Sequence, residues 1–167
     1  MYLRAPLLPF ANAYWVTSRH SAQTNPFGWT DLGMRCKRPP AAGDSLYVAD
    51  TGNNCIRHVS LSSGHTETIA GTQIKGLRDG AGKAASFTRP ISVATNADNS
   101  MLFVTDTGNS QLRAVDFTSG SLSQANVYTV SPNRSLIGNS VALKNPFDLT
   151  VTSDGRIIYV SVGPLLL

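Results

Sequence analysis

The sequence predicts an all-β protein built from repeated four-stranded antiparallel sheets, and three observations carry that expectation. The stretch "LYVADTGNN" at 46–54 returns as "LFVTDTGNS" at 102–110, and a third start, "IYVSV", stands at 158–162, the same interval further on. The composition, 41% hydrophobic and only 14% charged with many small polar residues, suits short strands joined by tight turns. Within the repeated stretches, β-branched and aromatic residues cluster in short runs without the helical spacing of apolar positions.

Shifting the chain so that Leu46 falls on Leu102 aligns Tyr47 with Phe103 and Tyr159, and Val48 with Val104 and Val160. Pro90 then falls on Pro146, Asp98 on Asp154, Gly52 on Gly108, Arg57 on Arg113, Val59 on Val115, Gly64 on Gly120 and Gly82 on Gly138. Self-similarity at one fixed period is the mark of a repeat architecture.

The unit that starts at Pro90 reads as four strands in order. "PISVATNAD" at 90–98 opens on a proline, tolerated at the start of a strand because no ladder bond is lost there. "ADNS" at 97–100 is turn chemistry, matched by "SDG" at 153–155. "MLFVTD" at 101–106 is a second strand rich in β-branched and aromatic residues. "DTGNS" at 106–110 is a tight turn in which Asp106 can accept backbone N–H groups and Gly108 is expected at positive φ. "QLRAVDF" at 111–117 alternates apolar and polar residues as a third strand, Ser119 and Gly120 turn the chain, and "ANVYTVS" at 125–131 is the fourth.

Such a sheet cannot bury both faces alone, and repeated four-stranded sheets stack radially as the blades of a β-propeller. Residues 41–167 are therefore read as a partial propeller: a blade at 41–74, a blade at 88–131 and a truncated blade at 145–162. The first blade is expected to lack its inner strand, because "RPPAAGDS" before Leu46 is too short and proline-rich. Residues 1–40 carry no repeat pattern and are expected to be an irregular leader. A closed ring needs about four or more blades. The chain thus reads as a fragment of a longer propeller, with ring completion by oligomerisation or an open arc as the alternatives. An open arc would expose apolar blade faces and self-associate through them.

At "LYVADTGNNCIRHV" the unit resembles the NHL repeat. The stretch "GTQIKGLRDGAGKAASFTRP" at 71–90 is similar to the long connector of that family, with Asp79, Gly80, Gly82, Ala85, Phe87 and Pro90 in the matching places. The resemblance runs over residues 46 to 162 and departs at Cys55, where the family has Arg. The second connector keeps Gly138 and Ala142 but lacks the Asp-Gly pair, and Leu143 stands where Phe87 stood. The resemblance implies a partial NHL-type β-propeller acting as a non-catalytic scaffold for a protein partner. The alternatives it leaves are a fragment of a propeller enzyme, a metal-dependent lyase or hydrolase, and an RNA-binding domain.

Charge bears on the last of these. The net charge of +4 lies entirely in residues 1–40, where Arg4, Arg19, Arg35, Lys37 and Arg38 face Asp31, and the repeat region is neutral. A phosphate-binding face needs clustered Lys and Arg, so nucleic acid is not the expected partner. No apolar run has the length of a membrane span. Cys36 and Cys55 are too few for a disulfide scaffold and are not spaced as a zinc pair; both are read as free thiols. The apolar stretch near the N-terminus has a weak likeness to a secretory signal, broken by Pro6 and Pro9, and leaves the compartment open. Asn133, Arg134 and Ser135 form a glycosylation acceptor by pattern alone.

In propellers the turn between the second and third strands and the connector between blades share one face. That face supplies the candidate partner-binding residues: Asp50, Asn53, Asn54, Arg78, Asp79, Asp106 and Asn109. Each has a structural reading beside it. Asp50 and Asp106 are turn caps, Asn53 and Asn109 bond local backbone, and Asp79 with Gly80 shapes a turn. Arg57 and Arg113, on equivalent strands, are read as inter-blade hydrogen bonders or ion pairs. His58 and His65 have Ala114 and Ser121 at their repeat positions and lie on no inner strand, so no metal, cofactor or catalytic residue is assigned.

Overall fold

The computed structural model describes residues 13–15, 35–37, 45–130, 143–152 and 154–162 of the chain. The N-terminal apolar stretch before Ala13, the sequon at Asn133 and the chain after Val162 lie outside the described residues.

Twelve strands form three antiparallel sheets among the described residues. The first holds β1 (Ala13–Trp15), β2 (Arg35–Lys37), β3 (Ser45–Asp50), β4 (Cys55–Ser60) and β5 (Thr66–Ala70), in that order. The second contains β6 (Gly80–Ala81), β7 (Pro90–Thr95), β8 (Met101–Asp106), β9 (Gln111–Asp116) and β10 (Asn126–Thr129), arranged β6-β10-β9-β8-β7. The third pairs β11 (Pro146–Val151) with β12 (Ile158–Val162). This is an all-β, partial β-propeller. Its repeat is visible in the register: Val104 faces Val93, and Val160 faces Leu149, the same pair one repeat later.

Two findings differ from the sequence expectation. The leader, expected to be irregular, contributes two short strands, and β2 occupies the inner position that the first sheet was expected to lack. Its register slips by one. The repeat would set Lys37 opposite Val48, but Cys36 stands there. A one-residue slip exchanges the two faces of a strand, so the segment carries no apolar pattern in phase with the repeat. The free edge of β3 selects it, by pairing rather than by propensity.

The second difference concerns the turn. Gly108 is not among the positive-φ residues; the left-handed positions are Asn54 (φ 52°) and Ser110 (φ 54°), each closing a 3-10 turn, Thr51–Asn53 and Thr107–Asn109. Glycine is needed at 108 for space. A Cβ there would sit 2.5 Å from Thr88 Cγ2 and 2.6 Å from the Thr88 carbonyl oxygen, which accepts the Gly108 N–H at 2.8 Å. Gly108→Val is therefore expected to cost about 1–3 kcal/mol by pushing the connector off the turn. Urea denaturation measures it, and an unchanged midpoint would show that the Thr88 contact is not tight.

The core lies between sheets. Tyr47, Ile56 and Ile69 of the first sheet meet Leu102, Val104, Val115, Phe117 and Val127 of the second, and Phe87 of the connector is buried among them. Tyr47 stacks on Phe117 with centroids 5.7 Å apart at 12°. One repeat on, Phe103 packs into the next interface with Ala94, Leu112, Leu149, Val151 and Val160. Alternation explains the pattern: Leu102 and Val104 turn back toward the first sheet, and Phe103 turns forward to the third. Tyr159, the next aromatic in phase, is 60% exposed.

Candidate functional site: the repeated turn and its connector

The two copies of Asp-Thr-Gly-Asn place the same groups in the same roles. Thr51 and Thr107 donate their hydroxyls to the carbonyls of Pro90 (2.6 Å) and Pro146 (2.5 Å), each 39 residues on, at the start of the next sheet's inner strand. Ser92 and Asp148, one repeat apart, also bond across a sheet boundary at 2.7 Å. Sequence reasoning missed the threonines because each finds its acceptor, a carbonyl, in the following unit. The signal available was the recurrence of Thr at 51 and 107.

Asp106 is fully buried and accepts the Thr88 N–H (2.7 Å), the Asn109 amide (2.7 Å) and Nη1 of Arg113 (2.9 Å). Arg113, 0% exposed, also donates to the Ser86 carbonyl (3.0 Å), the Arg78 carbonyl (2.9 Å) and Oδ1 of Asp79 (2.6 Å). Its guanidinium lies 5.0 Å from the centre of the Phe87 ring. Thr129 holds the far side of Asp79, N–H to Oδ2 at 3.0 Å and hydroxyl to Oδ1 at 3.1 Å. Asn109 reaches the Gly76 carbonyl at 2.8 Å as well. The connector is thus sewn onto the second sheet by one arginine and one turn.

In the first copy, Asp50 is equally buried and accepts the Asn53 amide at 2.9 and 3.1 Å and Nε of Arg57 at 3.0 Å. Asn54 takes the Arg89 N–H at 3.0 Å. Of the seven candidate residues, then, Asp50 and Asn53 gather at Arg57, while Asp79, Asp106, Asn109 and the Arg78 carbonyl gather at Arg113. Asn54 stands apart on the connector's end. What the connector turns outward is Ile74, 74% exposed, with Lys75, Leu77 and the Arg78 side chain.

Burial pushes the Asp106 carboxyl above its ordinary value, opposed by Asn109, the Thr88 N–H and Arg113. Partial desolvation raises Asp79 too, but the Thr129 N–H, Arg113 and the Thr129 hydroxyl outweigh it and hold the carboxyl below its ordinary value. The turn carboxyls Asp98 and Asp154 are also held low, chiefly by the Ser100 and Thr152 hydroxyls. A depressed carboxyl contributes stability above its unfolded pKa, lost as pH falls through the folded one; a raised carboxyl such as Asp106 contributes in the opposite sense. The urea midpoint is expected to fall below about pH 4, and Asp79→Asn to flatten that fall. An acid slope unchanged by Asp79→Asn would contradict the assignment. Cys55 is buried and its thiol is pushed up to about 12, so it is an inert core residue.

Among the described residues no three His, Cys, Asp or Glu side chains gather as a metal site, and no helix is long and apolar enough to cross a membrane.

No family model matches the chain. It is 34% identical over 89 residues to Protein SUPPRESSOR OF QUENCHING 1, chloroplastic, of Arabidopsis thaliana, covering 53% of this chain and 8% of that protein. It is 25% identical over 167 residues to NHL repeat-containing protein 2 of Gallus gallus, covering 92% of this chain and 22% of that protein. The chain therefore spans less than a quarter of either relative. Among solved structures, an auxiliary nutrient binding protein of Bacteroides thetaiotaomicron matches with TM-score 0.56 at 15% identity, over 79% of this chain and 36% of that one. A protein of unknown function from the same organism matches with TM-score 0.55 at 18% identity, over 71% and 30%. At these identities the likeness concerns the fold.

Proposed function

We propose that the chain is part of an NHL-type β-propeller that serves as a non-catalytic platform for a protein partner, with blades at 41–74, 88–131 and 145–162. The similarity to an NHL repeat-containing protein over most of the chain supports the repeat type. One observation carries the platform reading. The carboxylates and amides of the repeated turns are spent on bonds within their own turns, to the adjacent arginine and to the connector, whereas the connector offers solvent an apolar pair, Ile74 and Leu77, flanked by Lys75 and Arg78. An exposed apolar pair beside cationic groups fits a protein surface with acidic and apolar character. The candidate residues Asn54, Asp106 and Asn109 then act by fixing the connector's position, Asp50 and Asn53 brace their own turn, and Arg78 and Asp79 lie at the connector's exposed margin.

The test is capture on the immobilised chain beside the double variant Ile74→Asp/Leu77→Asp. A protein retained by the unaltered chain and released by a variant of equal melting temperature supports the reading; equal retention by both overturns it. The same platform self-associates through the forward face of the third sheet, where Tyr159 is exposed. Tyr159→Asp is expected to shift sedimentation toward monomer, and a native chain that sediments as a monomer at all concentrations contradicts this part.

A further inference from the structure

We infer that the backward flank of the first sheet is a receptor for an extended segment bearing an aspartate, in which Arg57 and Thr68 take a carboxylate as Arg113 and Thr129 take Asp79. The inference stands apart from the platform reading, which concerns Ile74 and Leu77 on the connector.

Register makes the two places equivalent. Arg57 stands opposite Thr68 between β4 and β5, and Arg113 stands opposite Thr129 between β9 and β10. In the second sheet Asp79 bridges that pair, bonded to Nη2 of the arginine and to both the N–H and hydroxyl of the threonine. In the first sheet the arginine spans the gap itself: Nη1 of Arg57 donates directly to the Thr68 hydroxyl, and Nε to Asp50. Among the described residues no hydrogen bond is made by its Nη2. Its side chain is 18% exposed where that of Arg113 is 0%. Arg113 serves two carboxylates and Arg57 serves one. A guanidinium has five donors in a planar fork, so Arg57 has capacity for the second.

The sheet edge says what kind of segment fits. In the second sheet the two residues after Asp79, Gly80 and Ala81, pair with β10 as β6. Gly80 sits at φ 123°, a conformation that side chains rarely adopt. In the first sheet β5 is the edge strand. Ile56 packs into the core shared with the second sheet, so alternation turns Arg57 to the opposite flank. The occupant is therefore an extended peptide whose aspartate is followed by glycine and a small residue, added as a strand to the edge of β5. Entry replaces the direct Arg57–Thr68 bond with a bridging carboxylate.

The probe is a synthetic peptide of this chain's own residues 76–88, added at millimolar concentration to the intact chain and followed by hydrogen exchange with mass spectrometry. The expected result is slowing of amide exchange in 66–70 by about tenfold. The Asp79→Asn and Gly80→Val peptides should give none, and neither should the chain carrying Arg57→Gln. Arg57→Lys should retain part of the effect, and unchanged exchange in β7 to β9 establishes that both variants are folded. Protection confined to 126–130, which would mean displacement of the chain's own connector, overturns the inference. So does an absence of protection in 66–70, or protection that survives Arg57→Gln or the Asp79→Asn peptide.

Discussion

Arg113→Ala is expected to lower the unfolding free energy by about 3–5 kcal/mol. Arg57→Ala, at the same position one repeat earlier, is expected to cost about 1–2 kcal/mol. The contrast follows from surroundings. Removing Arg113 strands a fully buried Asp106, frees Asp79 and leaves the carbonyls of Ser86 and Arg78 without their donor. The guanidinium is enclosed in the intact chain, and the Asp106 carboxylate it leaves is buried. Arg57 is partly solvated, its loss breaks bonds to Asp50 and Thr68 alone, and Asp50 keeps the Asn53 amide. Urea denaturation of both variants measures the difference. Equal losses would mean that the connector bonds contribute nothing beyond the shared Asp–Arg pair.

Phe87→Ala comes next, at about 3–5 kcal/mol. A phenylalanine on a connector would ordinarily be a surface residue. Here it is fully buried, sits in the core between the first two sheets, and lies under the Arg113 guanidinium. Deleting the ring leaves a cavity at the seam of two sheets and removes the floor of the arginine network. Phe87→Leu should recover more than half of the loss, since most of the volume returns. A loss below about 1 kcal/mol for the alanine variant would show that the seam collapses without it.

These two residues show which parts of the fold were legible in the sequence. The strands from Leu46 to Val162 could be read because their side chains alternate across a pleat that must be buried on both flanks, and that requirement recurs at a constant interval. Phe87 and Asp79 were legible as matched positions of the connector by family resemblance, though not as partners of one buried arginine. Arg35–Lys37 was illegible: its register is one residue out of phase with the repeat, and an edge, not its own side chains, recruits it. Sequence places the positive φ at Gly108 because glycine is the residue that tolerates it best, yet Asn54 and Ser110 adopt it, and Gly108 is there to let Thr88 approach. Asp50 and Asp106 read as groups on a binding face because burial of a carboxylate depends on an arginine seven residues later that points the same way. Distance along the chain hides such pairings, and only the repeat hints at them.

The central claim is that sheets one repeat apart lean on one another in a single recurring geometry. Nuclear Overhauser contacts measure it directly, from the ring protons of Tyr47 to those of Phe117 and from the ring protons of Phe103 to the Leu149 methyls. Both contacts are expected, since the two rings occupy one repeat position and each crosses to the following sheet. Contacts at the first boundary with none at the second, or none at either, would contradict it.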